Sequence, residues 1–107
     1  MSVKMVYMTA GSPEEARQIG RSLVESRLAA CVNIIEKMTS IFRWEGAIEE
    51  GEETVLIAKT TEMCLPKLIE HVKHIHSYEC PCIVSLPVED GHKPFLDWVA
   101  VEVDSSK

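Results

Sequence analysis

The chain has 107 residues and a mass of 12.0 kDa, room for one domain spanning 1–107 and no second core. Its 46% apolar and 26% charged residues are those of an ordinary soluble globular domain, which buries roughly 65% of its unfolded surface at this size. A formal charge of −6 excludes nucleic acid and polybasic membrane-surface function, both of which need a basic face.

Val3 to Thr9, rich in β-branched and aromatic residues and stopped by Gly11, predicts a first strand. Ser12-Pro13-Glu14-Glu15 then opens a helix. Ser12 is placed to accept from the backbone three residues on, with Glu15 reaching back in a capping box. Pro13 occupies the first helical position, and the acidic pair suits the positive end of the dipole. Ala16, Ile19, Gly20, Leu23, Val24 and Arg27-Leu28 continue the helical spacing.

From Ala29 to Trp44 no Gly or Pro interrupts a run containing Cys31, Val32, Ile34, Ile35, Met38, Ile41, Phe42 and Trp44. This predicts one unusually long strand with a bulge near Glu36-Lys37. Gly46 and Gly51 bracket an acidic connection, Glu45 to Glu53, which reads as a solvated turn. Thr54 to Thr61 is the returning strand, so the two form an antiparallel hairpin.

Leu65, Leu68, Ile69, Val72 and Ile75 predict a second amphipathic helix from about Glu62 to His76, with Pro66 in its first turn. Pro81 to Val88 is a further strand, ended by Asp90-Gly91. Pro94 opens a last helix on which Phe95, Leu96, Val99 and Val103 share a face. A strand from Trp98 to Val103 competes there, but the proline and the spacing favour helix. The order β-α-β-β-α-β plus a C-terminal helix is an α+β, ferredoxin-like sandwich with helices on one face of a four-stranded antiparallel sheet.

Length then bears on assembly. Sixteen residues at ~3.3 Å each span roughly 50 Å, whereas a compact chain of this size is only roughly 35 Å across. The hairpin therefore overhangs its own domain, carrying Ile41, Phe42, Trp44 and Ile48 into solvent at ~25 cal/mol per Å² of apolar surface. Burial against a neighbouring subunit covers both that surface and the open strand edge. An oligomer is expected.

The segment His74-Ile75-His76-Ser77-Tyr78-Glu79-Cys80-Pro81-Cys82 gathers two imidazoles and two thiols, the ligand types of zinc and copper. Residues 74 and 76 do not share a helix face, however. The competing reading is a helix C-terminus in which His71, His74 and His76 favour the negative dipole end, followed by two small buried thiols. Trp44 and Tyr78 read as packing residues. Among motifs, G-x-S-x-G, G-x-G-x-x-G, P-loop and C-x-x-C are all missing from the sequence. No apolar stretch approaches the ~20 residues that span a bilayer, and Met1 to Met8 does not read as a secretory signal. A cytoplasmic location with reduced thiols at Cys31, Cys64, Cys80 and Cys82 is expected.

Several motifs in register carry a resemblance: Ala29-Ala30-Cys31-Val32-Asn33-Ile34, Ile41-Phe42-Arg43-Trp44-Glu45-Gly46, Glu53 to Thr61, His76-Ser77-Tyr78-Glu79-Cys80-Pro81 and Phe95-Leu96-Asp97-Trp98. Over Met5 to Val101 the sequence resembles the CutA divalent-cation tolerance family. The resemblance implies a cytoplasmic, non-enzymatic homotrimer, joined through its long hairpins and shaped like PII signalling proteins. It also implies an association with tolerance to divalent cations, copper especially, and a cleft between subunits for a metal ion or small ligand. Cys31, Trp44, Lys59, His76, Tyr78 and Glu79 match its cleft positions. The usual His-Pro-Tyr becomes His76-Ser77-Tyr78 and the usual Pro-Glu-Ile becomes Pro81-Cys82-Ile83. Met8 stands where some members have a cysteine, and Ile75 where a paired imidazole would be. His76, Cys82 and Met8 are thus the candidate metal ligands. A second reading is a PII-like regulatory or structural module that docks a partner protein.

Overall fold

Ser12 accepts a 3.1 Å hydrogen bond from the Glu15 backbone N–H, and Pro13 heads the helix that follows. These local signals recur down the chain. In the computed structural model, which describes residues 2–103, the elements run β1 (Val3–Ala10), α1 (Pro13–Glu25), β2 (Cys31–Trp44), β3 (Ala47–Thr61), α2 (Leu65–Ile75), β4 (Ile83–Pro87) and α3 (Lys93–Glu102). The four strands form one antiparallel sheet in the order β2-β3-β1-β4, the ferredoxin-like arrangement expected from the element order. The terminal segment is helix, as Pro94 in its first turn predicts.

Alternation along the strands divides the sheet into two faces. Val6, Met8 and Ala10 of β1 with Leu56 and Ala58 of β3 pack against Ala16, Ile19 and Leu23 of α1 and Leu68 and Val72 of α2. A smaller cluster of Val3, Ala30, Cys64, Val99 and Val103 seats α3. Gly20 lets α1 pass close to β2: a Cβ there would lie a tight 3.3 Å from Val32 Cγ1. The opposite sheet face leaves Ile35, Val84 and Leu86 each about half exposed.

The bulge lies where expected. Ile35 pairs with Val55 and Met38 with Glu53, so Glu36 and Lys37 oppose the single residue Thr54. Lys37 takes a φ of 65° to make it. The acidic segment is the main correction. It is not a loop: Glu45 and Gly46, with φ of 50° and 83°, form a two-residue turn of the I′ kind, and β3 resumes at Ala47. The carboxylates of Glu49, Glu50 and Glu52 are accommodated because the paired ribbon is wet, opposite Phe42, Ile41 and Thr39.

Other boundaries shift for identifiable reasons. α1 stops at Glu25 rather than near Leu28, because Arg27 enters the left-handed region (φ 58°). Its N–H then reaches Val24 O while Leu28 N–H reaches Leu23 O, the two bonds of a Schellman cap. α2 begins at Leu65 rather than Glu62, after a turn closed by Cys64 N–H on Thr61 O. β4 begins at Ile83 rather than Pro81, since the β1 ladder ends at Met8↔Ile83. Pairing of β1 with β3 also ends, at Ala10↔Thr54. Beyond it residues 38–44 and 47–53 continue as a bare ribbon, roughly 23 Å of strand at ~3.3 Å per residue. The chain measures 44 × 26 × 22 Å, with a radius of gyration of 14.3 Å against ~13 Å for a compact chain of this size.

Candidate functional site

At the foot of the arm the loop 76–82 is tied to the sheet and to α1. His76, whose side chain is fully buried, uses both ring nitrogens. Tyr78 N–H donates to Nδ1 at 3.0 Å, and Nε2 lies 2.7 Å from Thr9 O. Since Nδ1 is an acceptor, the tautomer assigned from this network puts the proton on Nε2, which donates to the carbonyl. The Thr9 carbonyl is available because β4 does not extend that far.

Glu15 clasps the same loop. Its carboxylate accepts from Ser77 N–H at 2.7 Å, from the Ser77 hydroxyl at 2.9 Å and from Gly11 N–H at 3.2 Å. Burial alone would raise its pKa, but these bonds to the charged form hold it below the ordinary carboxylate value. The expected capping box is thus only half present: Ser12 caps the helix, and Glu15 serves the loop 62 residues away.

Between this loop and the arm lies a cleft of about 810 Å³. Tyr7 and Thr9 form its floor, Met38 to Phe42 with Trp44 one wall, and Tyr78, Glu79, Cys80 and Cys82 the other, with Glu53 among them. Glu53 accepts from the Tyr78 hydroxyl at 2.8 Å and from the Ser40 hydroxyl at 2.6 Å. Burial first, then the hydrogen bond to Glu53 and its charge, push the Tyr78 pKa up to about 12. Burial and, after it, the Glu53 charge also raise the Cys82 thiol above its ordinary value.

Of the residues singled out from the sequence, the structure brings Trp44, Tyr78, Glu79 and Cys82 to this cleft. Trp44 and Tyr78 line it rather than only packing, and Cys80 and Cys82 are exposed instead of buried. Cys31 and Lys59 lie elsewhere. They pair with one another at the base of the hairpin, where the Lys59 ammonium bonds Asn33 Oδ1. Lys59 is six residues along β3 from Glu53, roughly 20 Å. The three candidate metal ligands are not brought together. Met8 is a core residue on the helix-covered face, His76 has spent both nitrogens, and Cys82 alone lines the cleft. Among the described residues no group of three or more His, Cys, Asp and Glu could hold a metal ion, so this chain's ligand set does not fit copper by itself.

Sequence reasoning missed Glu53 and Tyr7. Glu53 was hidden in the acidic run, and a strand register starting at a two-residue Glu45-Gly46 turn would have found it. Tyr7 follows from alternation, since Val6 and Met8 face the core.

The sequence profile described as CutA1 divalent ion tolerance protein matches residues 4–102. A divalent-cation tolerance protein CutA of Thermus thermophilus is 49% identical over 96 residues, 90% of this chain and 93% of that protein. The protein CutA of Mus musculus is 44% identical over 98 residues, and there the matched part of the chain, 92% of it, spans only 55% of the longer relative. The solved structure of a CutA from Archaeoglobus fulgidus, described as a periplasmic divalent cation tolerance protein, superposes with a TM-score of 0.92 at 44% identity. It covers 95% of this chain and 99% of that one. These matches and the shared fold establish that the chain belongs to the CutA1 divalent ion tolerance protein family.

Proposed function

We propose that the chain acts as a non-enzymatic homotrimer in divalent-cation tolerance and binds a small ligand or metal ion in clefts between its subunits. The observation that carries this reading is the bare ribbon beyond Ala10↔Thr54. Its apolar residues Ile41, Phe42, Trp44 and Ile48 are 68%, 47%, 44% and 68% exposed. With the half-exposed Ile35, Val84 and Leu86 of the sheet, they give a surface that sister chains would bury. The cleft sits at the foot of the same ribbon, so assembly and ligand binding would share one element. Residues of a sister chain would complete any metal site, since this chain supplies no convergent ligand triad of its own. We place the protein in a compartment where its thiols stay reduced, the cytoplasm. The tolerance name of the family describes no reaction.

Native mass measurement with and without added copper tests the reading. Particles of three chains, each 12.0 kDa, are expected, with a shift in mass on adding the ion if metal is the ligand. A second reading, docking of a partner protein, is favoured by the outer side of α3, where Phe95, Trp98 and Val101 are exposed and the first two rings lie 5.6 Å apart.

A further inference from the structure

Strand alternation puts two opposite charges on the sheet face turned away from α1 and α2. Leu56 and Ala58 of β3 point into the main core, so Glu53 and Lys59 of the same strand point the other way. Between the Cys31–Lys59 and Met38–Glu53 pairs of the ladder, the other residues that alternation places on this face are uncharged, Asn33, Ile57, Tyr7 and Val84 among them. Both charges have only neutral partners within the chain. Glu53 accepts from the hydroxyls of Ser40 and Tyr78, and the Lys59 ammonium bonds Asn33 Oδ1. Neither residue belongs to an ion pair among the described residues. Nor do they meet each other, for six residues of strand hold them roughly 20 Å apart. Arg43, across from Ile48, lies on the other side of the ribbon.

A charge without a counter-charge is tolerated on a wet face and costly on a buried one. This face carries the half-exposed Ile35, Val84 and Leu86 and runs on into the ribbon, the surface assigned above to sister chains. A ring of subunits closed by rotation sets two different patches of the chain against each other. The foot of one arm then faces another chain's hairpin base, and opposite charges at those two places satisfy each other. We propose that a sister chain's Lys59 enters the cleft and pairs with Glu53, each subunit giving one ammonium and receiving one. The proposal rests on the reading of the protein as an oligomer and names a residue that the partner copy contributes, without which the cleft is incomplete. The two hydroxyl bonds leave Glu53 lone pairs to accept it, since a carboxylate has about four acceptor sites. A cation entering the cleft competes with that ammonium for the carboxylate.

A double-mutant cycle on association tests it. Wild type, Glu53→Gln, Lys59→Met and the double variant are compared by sedimentation equilibrium across a urea series, an uncharged denaturant that leaves ion pairs unscreened. Each single substitution strands one buried charge and should weaken association at least about thirtyfold. The double variant should be no weaker than the worse single one. Effects that simply multiply, as for sites roughly 20 Å apart with no shared contact, overturn the proposal. Zero-length carbodiimide coupling of the wild-type chain then names the acceptor: an amide between Lys59 and Glu53 is expected, in linked chains and not in the single-chain band. Lys59 coupled instead to Glu49 or Glu79, or to Glu53 within one chain, overturns the proposal. The particle mass in the same samples reports the oligomer separately, so a three-chain particle with multiplying effects refutes the pair and leaves the assembly standing.

Discussion

The Tyr78 hydroxyl donates a 2.8 Å hydrogen bond to Glu53 Oε2, joining the loop after α2 to the foot of the β2–β3 arm. Glu53 is in turn held by Ser40 from the facing strand. One carboxylate therefore sets the position of a loop, the root of the ribbon and the charge of the cleft between them.

Tyr78 reports on that carboxylate directly. Its phenol titrates at about 12 because of burial and then Glu53. Glu53→Gln removes a negative charge that disfavours the phenolate, so the pKa should fall toward the ordinary 10.0 without reaching it, since burial remains. Ultraviolet titration of the chain and its variant measures the shift, and an unchanged value would contradict the pairing.

Cys82 gives a second, chemical readout. Burial and Glu53 raise its thiol, so the thiolate that reacts with alkylating agents is scarce at mildly alkaline pH. In Glu53→Gln the fraction of thiolate rises, and alkylation of Cys82 should be faster. Peptide mapping after timed iodoacetamide treatment compares the two rates.

Glu15 should make the fold acid-sensitive. Its carboxyl titrates below the ordinary value in the native chain, so the stability it confers is fully present above the unfolded pKa and is lost as pH falls through the folded one. Chemical denaturation across that range should show Glu15→Gln less pH-dependent than wild type. Ser77→Ala, which deletes the 2.9 Å bond to Glu15, should cost about 1 kcal/mol at neutral pH.

Met8 separates core from ligand site. It is 1% exposed, within the main cluster, so Met8→Ala should destabilise by about 2–5 kcal/mol while leaving copper affinity of the folded protein unchanged. Thermal unfolding and metal titration of the same sample distinguish the two effects. A large loss of copper affinity without loss of stability would restore Met8 as a ligand.

What could be read ahead of the structure was mostly local. Ser12-Pro13 announced α1, Pro94 decided helix over strand for α3, and the polar pair Glu36-Lys37 inside an apolar run marked the bulge. Met8 was legible too: Val6, Met8 and Ala10 alternate into the core, and that period outweighs the soft-ligand chemistry of the thioether. The Glu45-Gly46 turn was masked because four further glutamates follow it, Glu49, Glu50, Glu52 and Glu53. Composition makes such a run look like a solvated loop, yet a two-stranded arm has wet faces that accept charge. The clasp of Glu15 on Ser77 links positions 62 apart, and no local pattern encodes it. The same holds for His76, whose ligand-like chemistry is spent on Thr9 O and Tyr78 N–H.

The arm itself is the element on which assembly depends. Its residues Ile41, Phe42, Trp44 and Ile48 are largely exposed in the chain, so Phe42→Glu should weaken association without unfolding the core, because Phe42 lies on the ribbon beyond the three-stranded part of the sheet. Circular dichroism and particle mass, measured together, separate the two outcomes.

Sedimentation equilibrium of the wild-type chain in dilute neutral buffer tests the central claim most directly. The account predicts a single species of three chains, persisting as concentration falls. A well-folded particle of 12.0 kDa at every concentration would contradict it.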